Sequence, residues 1–261
     1  MYLALARMGF QRQLAYRTAN LAGLATNSFF GLLRACVLIA LYGARPSVAG
    51  YSLPAAITYT ALSQALIAYI AIWSWWDIIR TFRTGEIATD LSRPCDYFRY
   101  WFAQDVGRAA AQLLLRGLPL IALYAVFYRI VIPATLLQVL ALLLSLALAL
   151  LVSFSWRFLV SLAGFWVGDA TGVGRMAWTV ATFLSGQIMP LAMFPAWATG
   201  VLRATPWAAM INTPVEVYLG LVRGPHLLGA LAVQAAWAVA LIALGRLLLR
   251  AGVGHLAVQG G

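Results

Sequence analysis

Long apolar runs broken by small clusters of arginine organise this chain. The stretch from Pro46 to Trp76 is 31 residues without a charge. A helix needs about 20 such residues to cross a hydrocarbon core at ~1.5 Å per residue, so this run spans with residues to spare. The same pattern predicts six spans, at about 24–42, 53–75, 109–131, 134–167, 176–193 and 227–249. A short loop carrying Arg45, Pro46 and Gly50 joins the first two into a helical hairpin. The fourth run is too short for two crossings and reads as one long helix with a protruding end. Pro133 suits its first turn, and Arg157 marks where it leaves lipid. Ahead of the first span, Leu3, Phe10, Leu14 and Leu21 share one helical face, which predicts an interfacial helix across residues 1–23. The expected fold is an all-α membrane protein with six transmembrane helices.

Two connecting segments differ from ordinary loops. Residues 77–108 hold five of the seven acids and five of the eighteen arginines. Such balanced charge mixed with apolar residues suits protein docking better than anionic lipid, which favours unbalanced basic clusters. A solvated loop laced with surface ion pairs has the same pattern. Residues 194–226 contain Pro195, Pro206, Pro214 and Pro225 yet stay apolar, with Trp197, Leu202, Trp207 and Ile211. Backbone broken in this way survives at membrane depth only against protein or a cavity, so short re-entrant helices are expected.

Composition agrees, with 63% hydrophobic and 10% charged residues. The net charge of +11 is all arginine over acid, without a single lysine. It reflects topology rather than nucleic acid, because no basic stripe runs beside stacking aromatics. With the N-terminus inside, Arg7, Arg12, Arg17, Arg80, Arg83, Arg93, Arg99, Arg108, Arg157, Arg175, Arg246 and Arg250 are cytoplasmic. Only Arg45, Arg129, Arg203 and Arg223 then lie outside. Arg7, Arg12 and Arg17 precede any long apolar run, and no small-residue cleavage site follows Leu41, so the first span is expected to be retained.

Several functions are disfavoured. A phosphate-binding P-loop requires lysine, and neither G-x-S-x-G nor H-E-x-x-H occurs. Cys36, Cys95, His226 and His255 have no metal spacing, so no catalytic, cofactor-binding or metal site is expected. A proton- or sodium-coupled transporter would usually carry acids within its spans, and Asp169 and Glu216 lie at span borders. Arg34 does lie within a span, where a charge costs about 3 kcal/mol or more and faces protein or water. It contacts a transported molecule or is satisfied by carbonyls, snorkelling or a neighbouring subunit, and the same alternatives hold for Gln64 and Gln187. Arg116 must likewise snorkel or pair.

Short motifs in span order carry a resemblance. They are Gly85-Glu86-Ile87 and Asp90-Leu91-Ser92-Arg93-Pro94 after the second span, then Ser185-Gly186-Gln187-Ile188-Met189-Pro190 and Phe194-Pro195-Ala196-Trp197. Pro206 and the stretch from Pro214 to Gly220 complete the set. Through them the chain resembles the membrane subunits of the ABC transporter type 2 permease family, with Ser92 in place of the leucine common before Arg-Pro. The resemblance implies a coupling helix at Glu86, Ile87, Asp90, Leu91, Arg93 and Pro94, seated in an ATP-binding subunit. It also implies an external gate that includes Pro190, Met193, Phe194 and Trp197.

The function it implies is that of the permease subunit of an ATP-driven exporter. Its partners would be two copies of an ATP-binding subunit, which holds the ATP and Mg, and a second permease subunit, identical or homologous. Few charges along the spans favour a hydrophobic or amphipathic cargo such as a drug, natural product or lipid-like molecule. Export of a polysaccharide or glycolipid, or a membrane scaffold without transport, are the alternatives. A bacterial inner membrane with both termini cytoplasmic is the expected location, in contact with membrane lipid and with no nucleic-acid partner.

Overall fold

A computed structural model describes residues 1–43, 45–72 and 76–255. Helix α1 (Tyr2–Ala15) breaks at Tyr16 and α2 (Arg17–Tyr42) follows at once. The interfacial helix is therefore shorter than the expected 1–23, and Arg17 to Gly23 belong to α2. A two-residue turn at Ala49 and Gly50, with φ of 51° and 82°, joins strands β1 (Ser47–Val48) and β2 (Tyr51–Ser52). Positive φ at both central residues gives a hairpin turn whose twist matches its strands.

Helix α3 (Leu53–Tyr69) starts where the Ser52 hydroxyl accepts the Ala55 amide at 3.4 Å, with Pro54 in its first turn. It is buried on every side from Ala55 onward. Lipid tails are as apolar as leucine, so a central helix is held by close packing instead. Small residues make that packing possible: Ala56, Ala61, Ala65 and Ala68 lie in the α3 contact surface and Ala35 and Ala109 in its neighbours.

The chain then turns through α4 (Trp76–Thr84) and α5 (Glu86–Ser92) into α6 (Tyr97–Gln112). A five-residue wide turn, Leu113–Gly117, links α6 to α7 (Leu118–Phe127) within one helical rod. Pro119 lacks an amide and its ring crowds the carbonyl four residues back, so the ladder widens there rather than ending. Helix α8 (Leu136–Ser161) is followed by α9 (Gly164–Val167) and α10 (Thr171–Leu184). A single tight turn, Leu191–Met193, precedes α11 (Ala196–Arg203), α12 (Asn212–Tyr218) and the long α13 (Pro225–Val253).

Four helical stretches among the described residues are long and apolar enough to cross a membrane: Arg17–Tyr42, Tyr97–Phe127, Leu136–Val167 and Pro225–Val253. The expected second span, 53–75, holds a helix of 17 residues that ends before Ala71, whose φ is 52°; residues 73–75 lie outside those described. The expected fifth, 176–193, holds a 14-residue helix that starts earlier and stops at Leu184. At ~1.5 Å per residue both fall short of a core of about 30 Å. The third begins at Tyr97, so the end of the expected 77–108 loop is helix. Pro133 stays outside α8, because Thr135 forms its cap by accepting the Gln138 amide at 3.2 Å.

Helix α1 lies along α6. A Cβ at Gly9 would strike the Gln104 carbonyl and one at Gly107 the Ala6 carbonyl, so the two backbones touch. The Gln112 amide donates to Gln13 Oε1 at 2.7 Å and Asn20 Oδ1 at 3.0 Å, fixing the α1–α2 elbow to the same helix. Gly107→Val should separate the helices and cost about 1–3 kcal/mol. In detergent its thermal midpoint should fall while that of Gly200→Ala, where a Cβ meets open space, does not.

Candidate functional site

Arg34, Gln64 and Gln187, distant in sequence, line one cavity of about 390 Å³. Helix α2 contributes Gly23, Thr26, Asn27, Phe30 and Arg34, and α3 contributes Gln64, Ile67 and Ala68. The wide turn adds Arg116, which enters because the ladder loosens ahead of Pro119. Arg34 Nη1 donates to the Gln187 carbonyl at 2.9 Å. Gly23 leaves room for the Arg116 guanidinium, which a Cβ there would strike. Arg116 Nε and Gln187 Oε1 are buried without a hydrogen-bond partner. Neither arginine has a carboxylate within ion-pair distance among the described residues.

A second cluster closes the C-terminal end of α3. Asp105 receives Arg108 Nε at 2.7 Å and the two terminal nitrogens of Arg157 at 3.2 and 2.6 Å. The other nitrogens of Arg108 donate to the carbonyls of Ala68 at 2.6 Å and Tyr69 at 2.7 Å. Ser153 Oγ donates to the Ile70 carbonyl at 2.7 Å. The carbonyls freed where α3 stops are thus satisfied by side chains, as a buried helix end requires. Arg157 is 6% exposed, so it is an internal partner and not the point where α8 meets water. Asp105 is an acid within an apolar helical stretch, contrary to the reading of spans free of acids.

Helix α5 separates its residues by face. Ile87 and Asp90 are buried and Leu91 is half-buried, at the three- and four-residue spacing of one helical face. Ile87 and Leu91 join the cluster of Ile78, Tyr97, Phe98 and Phe158. Glu86, Arg93 and Pro94 are exposed. Gly85 supplies the left-handed turn into α5 with φ of 75°. Arg93 pairs with Asp90 at 3.2 Å, donates to the Tyr100 hydroxyl at 3.0 Å and lies over its ring. Burial raises the Asp90 pKa; Arg93 opposes this and Glu86 adds to it.

The proline-broken segment is pinned to α3. The Tyr59 hydroxyl lies 2.8 Å from the Gly186 carbonyl and 3.0 Å from Asn212 Oδ1, which also accepts the Leu191 amide at 3.2 Å. Glu216 accepts from Arg203 at 2.6 Å and from the Tyr51 hydroxyl at 3.1 Å. Among the four residues expected at the gate, Pro190 is buried, Met193 and Phe194 are half-buried, and Trp197 is 79% exposed. None of them lines the cavity of Arg34.

A family model described as ABC-2 family transporter protein matches residues 30–260. The chain belongs to that family. It is therefore a multi-pass membrane subunit of an ABC transporter, and both the cavity and α5 fall within the matched region, apart from Gly23, Thr26 and Asn27 of the cavity wall. No curated protein and no solved structure matches this transporter subunit.

Sequence reasoning missed Asp105, Tyr59, Asn212 and Glu216 as organising groups. The spacing of Asp105 and Arg108 hinted at a pair, and Pro119 three residues after Arg116 hinted at a distorted helix. Removing the Asp105 charge leaves buried Arg157 facing half-buried Arg108, so Asp105→Asn should cost about 3–5 kcal/mol, read as a lower thermal midpoint of the transporter subunit in detergent. At Asp90 the sign is opposite. The folded helix binds its proton more tightly than the unfolded chain, so its contribution favours the fold at acid pH. It fades as pH rises from the ordinary carboxylate range through the raised folded value. Asp90→Asn should remove that fall from a stability-against-pH profile while leaving the protein folded.

Proposed function

We propose that this chain is the permease half of an ATP-driven exporter whose cargo is a hydrophobic or amphipathic compound. The observation that carries this reading is helix α5, anchored to the helical body through Ile87, Asp90 and Leu91 while Glu86, Arg93 and Pro94 stay exposed. A lever needs both faces, one packed firmly enough to transmit a push and one free to receive it. The receiving face is complementary to a separate ATP-binding subunit, present in two copies, that holds ATP and Mg. The buried face continues through Phe98, Phe154 and Phe158 into α6 and α8, so displacement of α5 moves two long helices.

Six crossings are retained in this reading, with α3 continued by the turn at 70–72 and α10 by the irregular stretch after Leu184. Two permease subunits, identical or homologous, would face each other and alternate between inward and outward access. ATP-driven closure supplies the bias, and the segment pinned by Asn212 and Tyr59 closes the external end with Met193 and Phe194. The inward clustering of arginines supports cytoplasmic termini and an α5 on the ATP side.

Affinity purification in mild detergent should recover a stoichiometric P-loop ATPase. Glu86→Arg and Arg93→Glu should each reduce its recovery or its cargo-stimulated hydrolysis by about tenfold, the effect of ~1.4 kcal/mol. Glu86→Arg should leave the permease's own thermal midpoint unaltered, whereas Arg93→Glu also gives up the contacts to Asp90 and Tyr100 and should lower it. Full assembly and coupled transport in both variants would remove this face from the coupling role. Absence of any ATPase would overturn the exporter reading.

A further inference from the structure

The cavity shared by α2, α3 and the wide turn carries two cations and no anion. Arg34 has one terminal nitrogen on the Gln187 carbonyl, and Arg116 Nε has no acceptor although it is buried. Each charge within a span costs about 3 kcal/mol or more, and carbonyls or amides return only part of that. Asp105, the acid within the helical body, is already taken by Arg108 and Arg157. The charge of the cavity therefore remains open to a ligand.

The walls describe the remainder of that ligand. Phe30 and Ile67 line the cavity, and Phe30 is also half-exposed beside Phe29 and Leu33 on the outer face of α2. The space thus opens sideways onto an apolar surface. A volume of about 390 Å³ accommodates a polar head and a few methylenes, at the lower end of the usual ~300–1,000 Å³ of ligand sites. Levels differ too: Gly23, against which Arg116 packs, and Arg34 are separated on α2 by roughly 16 Å of helix rise. The head can therefore engage one guanidinium or pass from one to the other.

We propose that this cavity binds the acidic head of an amphipathic anion, a carboxylate, sulfate or phosphate ester on an apolar body, with Arg34 and Arg116 as its charge partners. The assignment rests on the permease reading and names the cargo class for it. It excludes an amphipathic cation from the same position, because two arginines without a counter-charge repel it. Gln187 Oε1, buried and unpartnered at the same wall, selects heads that also carry a hydrogen-bond donor.

The test uses the full chain with its ATP-binding partner in phosphatidylcholine nanodiscs without nucleotide. A dansyl-labelled undecanoate is titrated by fluorescence, with its methyl ester and the corresponding primary amine alongside. The carboxylate should bind at least about tenfold more tightly than either control, as expected for charge-assisted hydrogen bonds. Arg34→Gln and Arg116→Gln should each reduce that margin measurably and the double variant should abolish it, while Arg116→Lys should keep part of what Arg116→Gln loses. Equal binding of the three probes to the wild type overturns the proposal and requires no variant to fold. So do glutamine variants that titrate like the wild type.

Addition of phosphatidylglycerol distinguishes the sources. Displacement of the bound probe identifies a lipid headgroup as the anion, and retention identifies a non-lipid amphiphile. Both outcomes keep the site. Binding is read without ATP, so loss of the charge preference refutes the anion while leaving coupling to an ATPase intact. Failure to recover an ATPase refutes the exporter reading and leaves the binding result standing.

Discussion

One carboxylate shared by two arginines holds the centre of this protein. Asp105 on α6 grips Arg157 of α8, and through Arg108 it secures the carbonyls where α3 stops. Helix α3 is buried on all sides, so its unpaired end has no access to water and needs donors from its neighbours. Arg108 supplies two of them and Ser153 a third. The excess positive charge of the triad is spread over those carbonyl dipoles. Three helices are thereby fixed in register at the point from which the chain leaves for α4 and α5.

Polar atoms play the same part at the other end of α3. Tyr59 and Asn212 bind the broken stretch after α10, while Tyr51 and Glu216 bind the hairpin to α12. Van der Waals packing joins helices without much directional preference in an apolar surrounding, and hydrogen bonds supply the missing specificity. The cavity between these two knots holds unsatisfied polar groups of its own. Arg116 Nε and Gln187 Oε1 have no partner there, whereas the carboxylates of Asp105 and Glu216 on either side are matched. Rigid ends around an unsatisfied middle suit a site that exchanges its contents.

The packing of α5 links that middle to the end of the molecule where α4 and α5 lie. Its buried residues meet aromatic side chains of α6 and α8 near the Asp105 triad, and Arg12 of α1 pairs with Asp77 of α4 at 3.1 Å. Helix α1 in turn lies against α6 through Gly9 and Gly107. A force applied at α5 therefore meets a connected set of helices and not a loose loop.

The sequence alone determined the membrane class, the arginine asymmetry, the family motifs and the grouping of Arg34, Gln64 and Gln187 as polar side chains in need of a partner. Those features depend on composition and on local order, which survive without knowledge of packing. Helix ends at Ala15 and Leu184 and the break at Ala71 were not legible, because apolar periodicity continues through them and only tertiary donors and acceptors decide where a ladder stops. The division of α5 into Ile87, Asp90 and Leu91 inside and Glu86, Arg93 and Pro94 outside required the partner surface of Phe98 and Phe158. Above all, which arginines are neutralised was decided by folding. Arg157, read as the point where its helix leaves lipid, and Arg116, read as a group that must snorkel or pair, both sit in apolar runs, but Asp105 reaches the first across two helices, and no acid among the described residues reaches the second.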